Sequence, residues 1–189
     1  MFARGRRSLM ATRRIPGIRT SSQRYVVAFL ILLAALLQSS ISPGFQVFGV
    51  IPDLVLVLLA TWAAVARPKG LIFWGFGSGF LLDVLSGVPT GANMLALSLA
   101  TFVTSMGGAG LFRSNLVWAL LASLLGTLVY YPTMMLMLAV QGYSVDWFKA
   151  IIAITPAAVL VNLMTCVLIY HPVTLLERLT RTRSRYTIN

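Results

Sequence analysis

The chain has 189 residues, a mean hydropathy of +0.88 and 58% hydrophobic residues, and only 10% of its residues are charged. Its 15 Lys and Arg outnumber 4 Asp and Glu, and these basic residues lie almost entirely outside the long apolar runs. Such a composition predicts a multi-pass membrane protein and excludes a soluble globular domain. The two tails outside the apolar runs are too short to build a separate soluble core.

A net charge of +11 raises nucleic acid as a partner, so the positions of the charges matter. Seven basic residues precede Tyr25 and four follow Glu177, so the tails hold most of them. Aromatic residues, which stack on bases in single-strand binding grooves, do not alternate with these charges. We therefore expect anionic lipids at the basic tails and no nucleic acid.

Cysteine and histidine are each used once, as Cys166 and His171. A disulfide within the chain cannot form, and a metal site based on thiolate or imidazole ligands lacks enough of them. A Ser/His/Asp hydrolase would have to use His171, which has no acid beside it in the sequence. We expect no catalytic site, no cofactor and no metal.

Six apolar runs predict six membrane-spanning helices. They extend from Tyr25 to about Ser42, Ile51 to Ala66, Leu71 to about Ser86, Ala92 to about Met106, Asn115 to about Val140 and Trp147 to about Tyr170. The membrane domain then covers residues 25–171, between a basic tail at 1–24 and a second basic tail at 172–189. The Leu/Arg pattern of the second tail is typical of a helix lying on a membrane surface. A cleaved signal peptide is the alternative for the first run, and a re-entrant pair is the alternative for the third and fourth.

The basic residues also predict which ends of the helices face the cytoplasm. With the amino terminus inside, fourteen basic residues lie on the inner side and only Lys149 lies outside. This distribution follows the positive-inside rule. Both termini are therefore predicted to be cytoplasmic, which places Asp53, Asp83 and Asp146 toward the outer side.

The stretch from Gly75 to Gly91, GFGSGFLLDVLSGVPTG, is the most unusual part of this apolar chain. Asp83 would lie about 18 Å into a hydrocarbon layer about 30 Å thick, where an ionisable group is costly unless protein or water surrounds it. Gly75 and Gly79 share one helix face, on which another backbone can approach closely. The run from Gly87 to Gly91 cannot continue the helix and predicts an exposed turn.

Both acids of this region have a structural interpretation. No Lys or Arg lies in the core beside Asp83, so Asn93 and Tyr130, which reach a similar depth, are its predicted partners. A hydrogen-bonded carboxyl in a packing helix and a direct chemical role both remain open for this acid. The Pro52-Asp53 pair suits the first turn of a helix, where a carboxylate meets the positive end of the helix dipole. Asp53 is thus predicted to be a helix-start residue at the membrane interface.

Three elements together resemble the MreD rod-shape-determining family. They are the string IPDLVL that opens the second run, the glycine stretch ending in GFLLD, and the small-residue turn after it. The matching positions are Pro52, Asp53, Gly75, Gly79, Asp83, Gly87 and Gly91.

This resemblance implies a bacterial inner-membrane subunit of the cell-elongation machinery. Such a subunit binds MreC and, through the complex, MreB, RodA and a penicillin-binding transpeptidase. The resemblance also implies a scaffold without catalysis of its own and a fold similar to the six-helix S-components of energy-coupling-factor vitamin transporters. The oligomeric state, including a homo-oligomer, stays open.

Two other functions are also open. A small-molecule-binding transporter subunit of the S-component type would line an outward pocket with Asp53, Asp83, Asn93, Tyr130 and Tyr131. An enzyme of lipid or cell-wall precursor chemistry would use Asp83 as its base. Chemistry on phosphorylated lipids generally needs several cations or a metal, and the core sequence has neither.

Overall fold

The computed structural model describes residues 21–40, 49–66, 68–87, 89–106 and 116–182. Within these residues the fold is a bundle of six helices. They are α1 (Ser21–Ser40), α2 (Leu54–Ala66), α3 (Leu71–Ser86), α4 (Ala92–Met106), α5 (Leu116–Val140) and α6, which joins Trp147–Lys149, the π-helical segment Ala150–Ile154 and Thr155–Thr182. The prediction of six helices is confirmed, and that all six span the membrane stays a prediction.

Many of the basic residues that predict the topology lie outside the residues that the structure describes. Residues 1–20, Arg67, the loop that holds Arg113 and residues 183–189 lie outside the described residues. The orientation of the helices, with both termini in the cytoplasm, therefore stays a prediction, as do the boundaries of the two tails.

α2 is the central helix of the bundle. Its residues from Val55 to Ala64 are all buried, and it contacts each of the other five helices. Around it, α1, α3, α4, α5 and α6 follow one another as neighbours. A helix that is apolar on every side is expected at such a position, because other helices cover all of its surface.

α6 extends further than the apolar run predicts. The run indicates an end near Tyr170, but the helix continues through Pro172 to Thr182. Proline lacks the N–H that bonds to the preceding turn, which usually ends or kinks a helix, although membrane helices tolerate it. Near the start of α6, the π-helical segment immediately precedes Thr155 and Pro156, and the Thr155 hydroxyl donates to the Ala150 carbonyl over 2.9 Å. Pro156 has no backbone N–H to donate to the preceding turn. The widened π-helical turn accommodates this missing hydrogen bond.

The outside of the bundle is strongly apolar. Phe73, Phe148 and Leu168 are each at least three-quarters exposed. Two segments, Leu116–Val140 and Trp147–Leu179, are long and apolar enough to cross a membrane by length and composition. The other four helices are apolar but shorter. Side chains of this kind on an outer surface fit contact with hydrocarbon rather than with water.

A candidate functional site: the polar layer at one end of the bundle

Polar side chains from five helices, and from the residue just before α2, meet at the end of the bundle where α1 ends and α2 begins. We call this group the polar layer. It contains Gln38 on α1, Asp53 just before α2, Asp83 on α3, Asn93 on α4, Thr127, Tyr130 and Tyr131 on α5, and Asn162 on α6. Both acids of the layer are more than nine-tenths buried, with Asp53 8% exposed and Asp83 4% exposed.

The carboxylate of Asp83 accepts three backbone hydrogen bonds. Its Oδ2 accepts from the N–H groups of Gly91 (2.8 Å) and Met94 (3.2 Å), and its Oδ1 accepts from that of Asn93 (2.9 Å). These N–H groups belong to the start of α4, where a helix has no internal partners for its donors. Asp83 therefore caps α4 from the neighbouring helix, at the positive end of the α4 dipole.

The turn between α3 and α4 brings these donors to the carboxylate. Gly87 ends α3 with a φ of +64°, and Gly91 precedes α4 with a φ of +102°. Both angles lie in the left-handed region, which glycine adopts without the strain that a Cβ would cause. The chain can therefore reverse within a few residues and return α4 along α3.

Asn93 and Tyr130 lie where the sequence places them, but they contact Asp83 differently. Asn93 contacts the acid through its backbone N–H, and its side-chain Oδ1 accepts a hydrogen bond from the Tyr130 hydroxyl. Tyr130 thus reaches Asp83 only through Asn93. The result is a chain of contacts from α3 through α4 to α5.

Asp53 is held by side chains of three other helices. Its Oδ2 accepts from the Tyr131 hydroxyl (2.8 Å) and from Asn162 Nδ2 (3.2 Å), and its Oδ1 lies 3.4 Å from Gln38 Nε2. Its own backbone N–H donates to Asn162 Oδ1 over 3.0 Å. Pro52, beside it, contributes its carbonyl to the Leu54 N–H in the turn that opens α2. Asp53 therefore immediately precedes α2 and connects it to α1, α5 and α6, whereas its position at the membrane interface stays a prediction.

The layer also contains three residues whose roles the sequence alone does not indicate: Gln38, Thr127 and Asn162. Gln38 Oε1 accepts from the Val55 N–H over 3.2 Å, so α1 caps α2. Asn162 Nδ2 also donates to Thr127 Oγ1 over 3.1 Å. The signal that could have found Gln38 and Asn162 is an amide side chain within an apolar run, which needs a polar partner in a membrane.

The two glycines of the α3 motif contact α4. A Cβ built at Gly75 would lie 2.2 Å from Thr101 Oγ1, and one built at Gly79 would lie 2.5 Å from Met94 Cα. At Gly77, by contrast, a Cβ would meet nothing within 4 Å. The close-approach face of α3 is therefore occupied by another helix of the same chain.

The polar layer satisfies its own hydrogen-bonding groups. The partners of Asp53 and Asp83 given above are neutral amide, hydroxyl and backbone groups, and each bond joins different segments of the chain. Within the described residues, no three His, Cys, Asp or Glu side chains are grouped so that they could hold a metal ion. The arrangement therefore fastens helices together.

An apolar helical bundle that is joined internally by a polar layer defines a multi-pass helical membrane protein. The model of one protein family, described as rod shape-determining protein MreD, matches residues 19–180 of this chain. The chain belongs to the MreD family, whose members are non-catalytic, shape-determining membrane proteins. The resemblance inferred from the Pro-Asp string and the glycine stretch is thereby confirmed, and a role in rod-shape determination follows. No solved structure matches the chain.

Proposed function

We propose that this protein is a non-catalytic scaffold subunit of the bacterial cell-elongation complex in the inner membrane. In this role it binds MreC, joins MreB, RodA and a penicillin-binding transpeptidase through the complex, and supports peptidoglycan synthesis. The observation that carries the proposal is the family match over residues 19–180, which includes α1 to α5 and all but the last two residues of α6. The use of both buried acids for holding helices together supports a structural role.

The lipid-facing surface is where we expect MreC to bind. Helices associate in membranes by close packing and by hydrogen bonds rather than by hydrophobic burial. Because α4 covers the face of α3 that carries Gly75 and Gly79, a partner helix would contact other, outward-facing side chains. Such side chains are abundant, and Phe76 and Phe80 on α3 are each about half exposed.

The predicted topology is part of the proposal. An even number of spanning helices would place both termini on one side, and the positive-inside pattern makes that side the cytoplasm. The S-component-like arrangement of the six helices also belongs to the proposal.

A vitamin-binding function of the S-component type has weaker support. Its pocket would need polar groups that are free to bind a ligand. The carboxylates of Asp53 and Asp83 are already bound by Tyr131, Asn162 and backbone N–H groups, and Tyr130 is bound to Asn93.

Affinity purification from the native membrane in mild detergent, followed by mass spectrometry, tests the scaffold proposal. We expect MreC to accompany the wild-type protein and the Gly77→Ala control, whose added methyl group meets open space. Gly79→Leu, which forces a side chain against the α4 backbone, should lose MreC together with the folded bundle. Recovery of a transporter ATPase and its coupling subunit in place of MreC would contradict the proposal.

A further inference from the structure

A groove of about 400 Å³ lies between α1 and α3 on the surface of the bundle. Ala28 and Ile31 of α1 form one wall, and Phe73, Trp74 and Leu81 of α3 form the other. Ser78 also lines the α3 wall, and its hydroxyl donates to the Trp74 carbonyl of the same helix. Gly77 lies in the middle of the α3 wall, where a Cβ would meet nothing within 4 Å. The groove is not part of the polar layer, because none of its lining residues belongs to that layer.

The shape of the groove suits a narrow, flexible occupant. From Phe73 to Leu81 the α3 wall is about 12 Å long, at about 1.5 Å per residue. A helix with its side chains is about 10 Å wide, too wide for a groove of about 400 Å³ between two helices that contact one another. An acyl chain is thin enough to enter a groove of this size.

One end of the groove is positively charged. A Cβ at Gly70 would lie 3.3 Å from the Phe73 ring, so the turn before α3 adjoins this end. Lys69 in that turn is exposed, and neither α1 nor the α3 segment from Leu71 to Leu82 contains an acid. An exposed lysine at a headgroup surface attracts anionic lipids.

We propose that the groove between α1 and α3 binds one acyl chain of an anionic phospholipid whose headgroup lies beside Lys69. The apolar walls cover the chain, and the lysine selects the charge of the headgroup. The site is independent of the proposed scaffold function, because it rests on the groove and on Lys69 alone.

Trp74 lines the groove and can report its occupancy. Replacing the other tryptophans (Trp62→Phe, Trp118→Phe and Trp147→Phe) leaves Trp74 as the only indole fluorophore. The full chain is reconstituted in phosphatidylcholine vesicles that contain brominated-chain phosphatidylglycerol or brominated-chain phosphatidylcholine as quencher. We expect Trp74 to show about fivefold stronger apparent binding of the anionic quencher, the preference that one lysine near a surface provides. Lys69→Gln should remove this preference.

Two substitutions fill the groove from opposite walls. Gly77→Leu and Ala28→Leu should each reduce quenching by both lipids, whereas Ala153→Leu, at an exposed position on α6, should leave it unchanged. Circular dichroism and thermal unfolding identify any variant that fails to fold. Equal quenching by the two headgroups, or full quenching in both groove-filling variants, would overturn the proposal. Quenching that appears only after a co-purified protein is removed would assign the groove to that protein and would also overturn it.

Discussion

Three backbone N–H groups surround the Asp83 carboxylate at a position where water would otherwise have to solvate it. The same bonds fix the start of α4. One side chain therefore offsets two free-energy costs, that of burying an acid and that of leaving helix N–H groups without acceptors. Asp53 reaches a similar result with side chains, since Tyr131 and Asn162 donate to one of its oxygens. Both acids are thus stabilised by neutral donors.

Asp83→Ala should destabilise the folded protein by about 1 to 3 kcal/mol, because the donors at the start of α4 lose their acceptor. Asp83→Asn should cost less, since its amide retains one acceptor oxygen. Unfolding in detergent, followed by circular dichroism, measures both free energies. Asp146→Asn is the matched control, because this acid is exposed and caps only the Lys149 N–H. An effect of Asp83→Ala no larger than that of the control would contradict the capping role.

Tyr131→Phe and Asn162→Ala should each destabilise the protein and should not be additive. Both side chains donate to Asp53 Oδ2. Removing one donor therefore changes how much the other contributes to the free energy of unfolding. We expect a coupling energy of at least about 0.5 kcal/mol in a double-mutant cycle of unfolding free energies. Tyr143→Phe, at an exposed position after α5, should be neutral. Additive effects would show that the two donors act independently.

The sequence predicts which residues lie near Asp83 but not which atoms bind it. Asn93 and Tyr130 are identifiable by residue type and depth, whereas the groups that donate to the Asp83 carboxylate are backbone N–H groups, which residue type does not reveal. Only the folded turn shows that these N–H groups have no acceptor within α4 and lie close to the carboxylate. The pairing of Asp53 with Asn162 was also not predictable, because 109 residues separate them and nothing in either apolar run specifies the other.

At the scale of elements, one device is used twice. Gln38 near the end of α1 caps the start of α2, and Asp83 near the end of α3 caps the start of α4. In each pair, a side chain at the end of one helix satisfies donors at the start of the next. Consecutive helices are therefore held in register by polar bonds as well as by packing.

Gly79→Ala should separate α3 from α4 and destabilise the bundle by about 1 to 3 kcal/mol, as overpacking generally does. The added Cβ would lie 2.5 Å from Met94 Cα and 2.6 Å from the Asn93 carbonyl oxygen, and backbone atoms cannot move aside singly. Gly77→Ala, on a face of α3 that does not contact α4, should be neutral or stabilising by up to about 1 kcal/mol. Alanine has a higher helix propensity than glycine, and its methyl group would meet open space. Unfolding free energies in the same detergent compare the two. Equal effects would contradict the close contact between α3 and α4.

The helices themselves were largely predictable, because apolar runs separated by glycine, proline and charge indicate where helices begin and end. α3 and α4 begin at the residues that the sequence indicates, and the runs also indicate their ends at Ser86 and Met106. The far end of α6 was not predictable, because Pro172 is a breaking signal in sequence that the folded helix accommodates.

At the scale of the molecule, the helices differ in length by more than the bilayer allows without adjustment. α2, α3 and α4 have 13, 16 and 15 residues. At about 1.5 Å per residue these helices are about 20 to 24 Å long, shorter than a hydrocarbon core of about 30 Å. α5 has 25 residues and continues past its polar-layer residue Tyr131 to Val140. α6 begins at Trp147, well before its polar-layer residue Asn162. The polar layer should therefore lie below the membrane surface, with the α5–α6 hairpin extending past it.

This mismatch predicts greater stability in thin bilayers. In vesicles of short-chain phosphatidylcholine, the short outer helices α3 and α4 need less local thinning of the lipid than in long-chain vesicles, at fractions of a kcal/mol per Å. The unfolding midpoint of the reconstituted protein, compared across a series of chain lengths, measures the effect. A midpoint that rises steadily with chain length would place the polar layer at the membrane surface instead.

If the two buried carboxyl groups act only by holding helices together, cells need the folded bundle and not the acids themselves. The direct test is the length-to-width ratio of cells whose only copy carries Asp53→Asn and Asp83→Asn, with expression adjusted until the folded protein in the membrane equals the wild-type amount. We predict a ratio equal to that of wild-type cells. Rounded cells at an equal amount of folded protein would contradict the structural role and would assign the carboxyl groups a chemical or binding function.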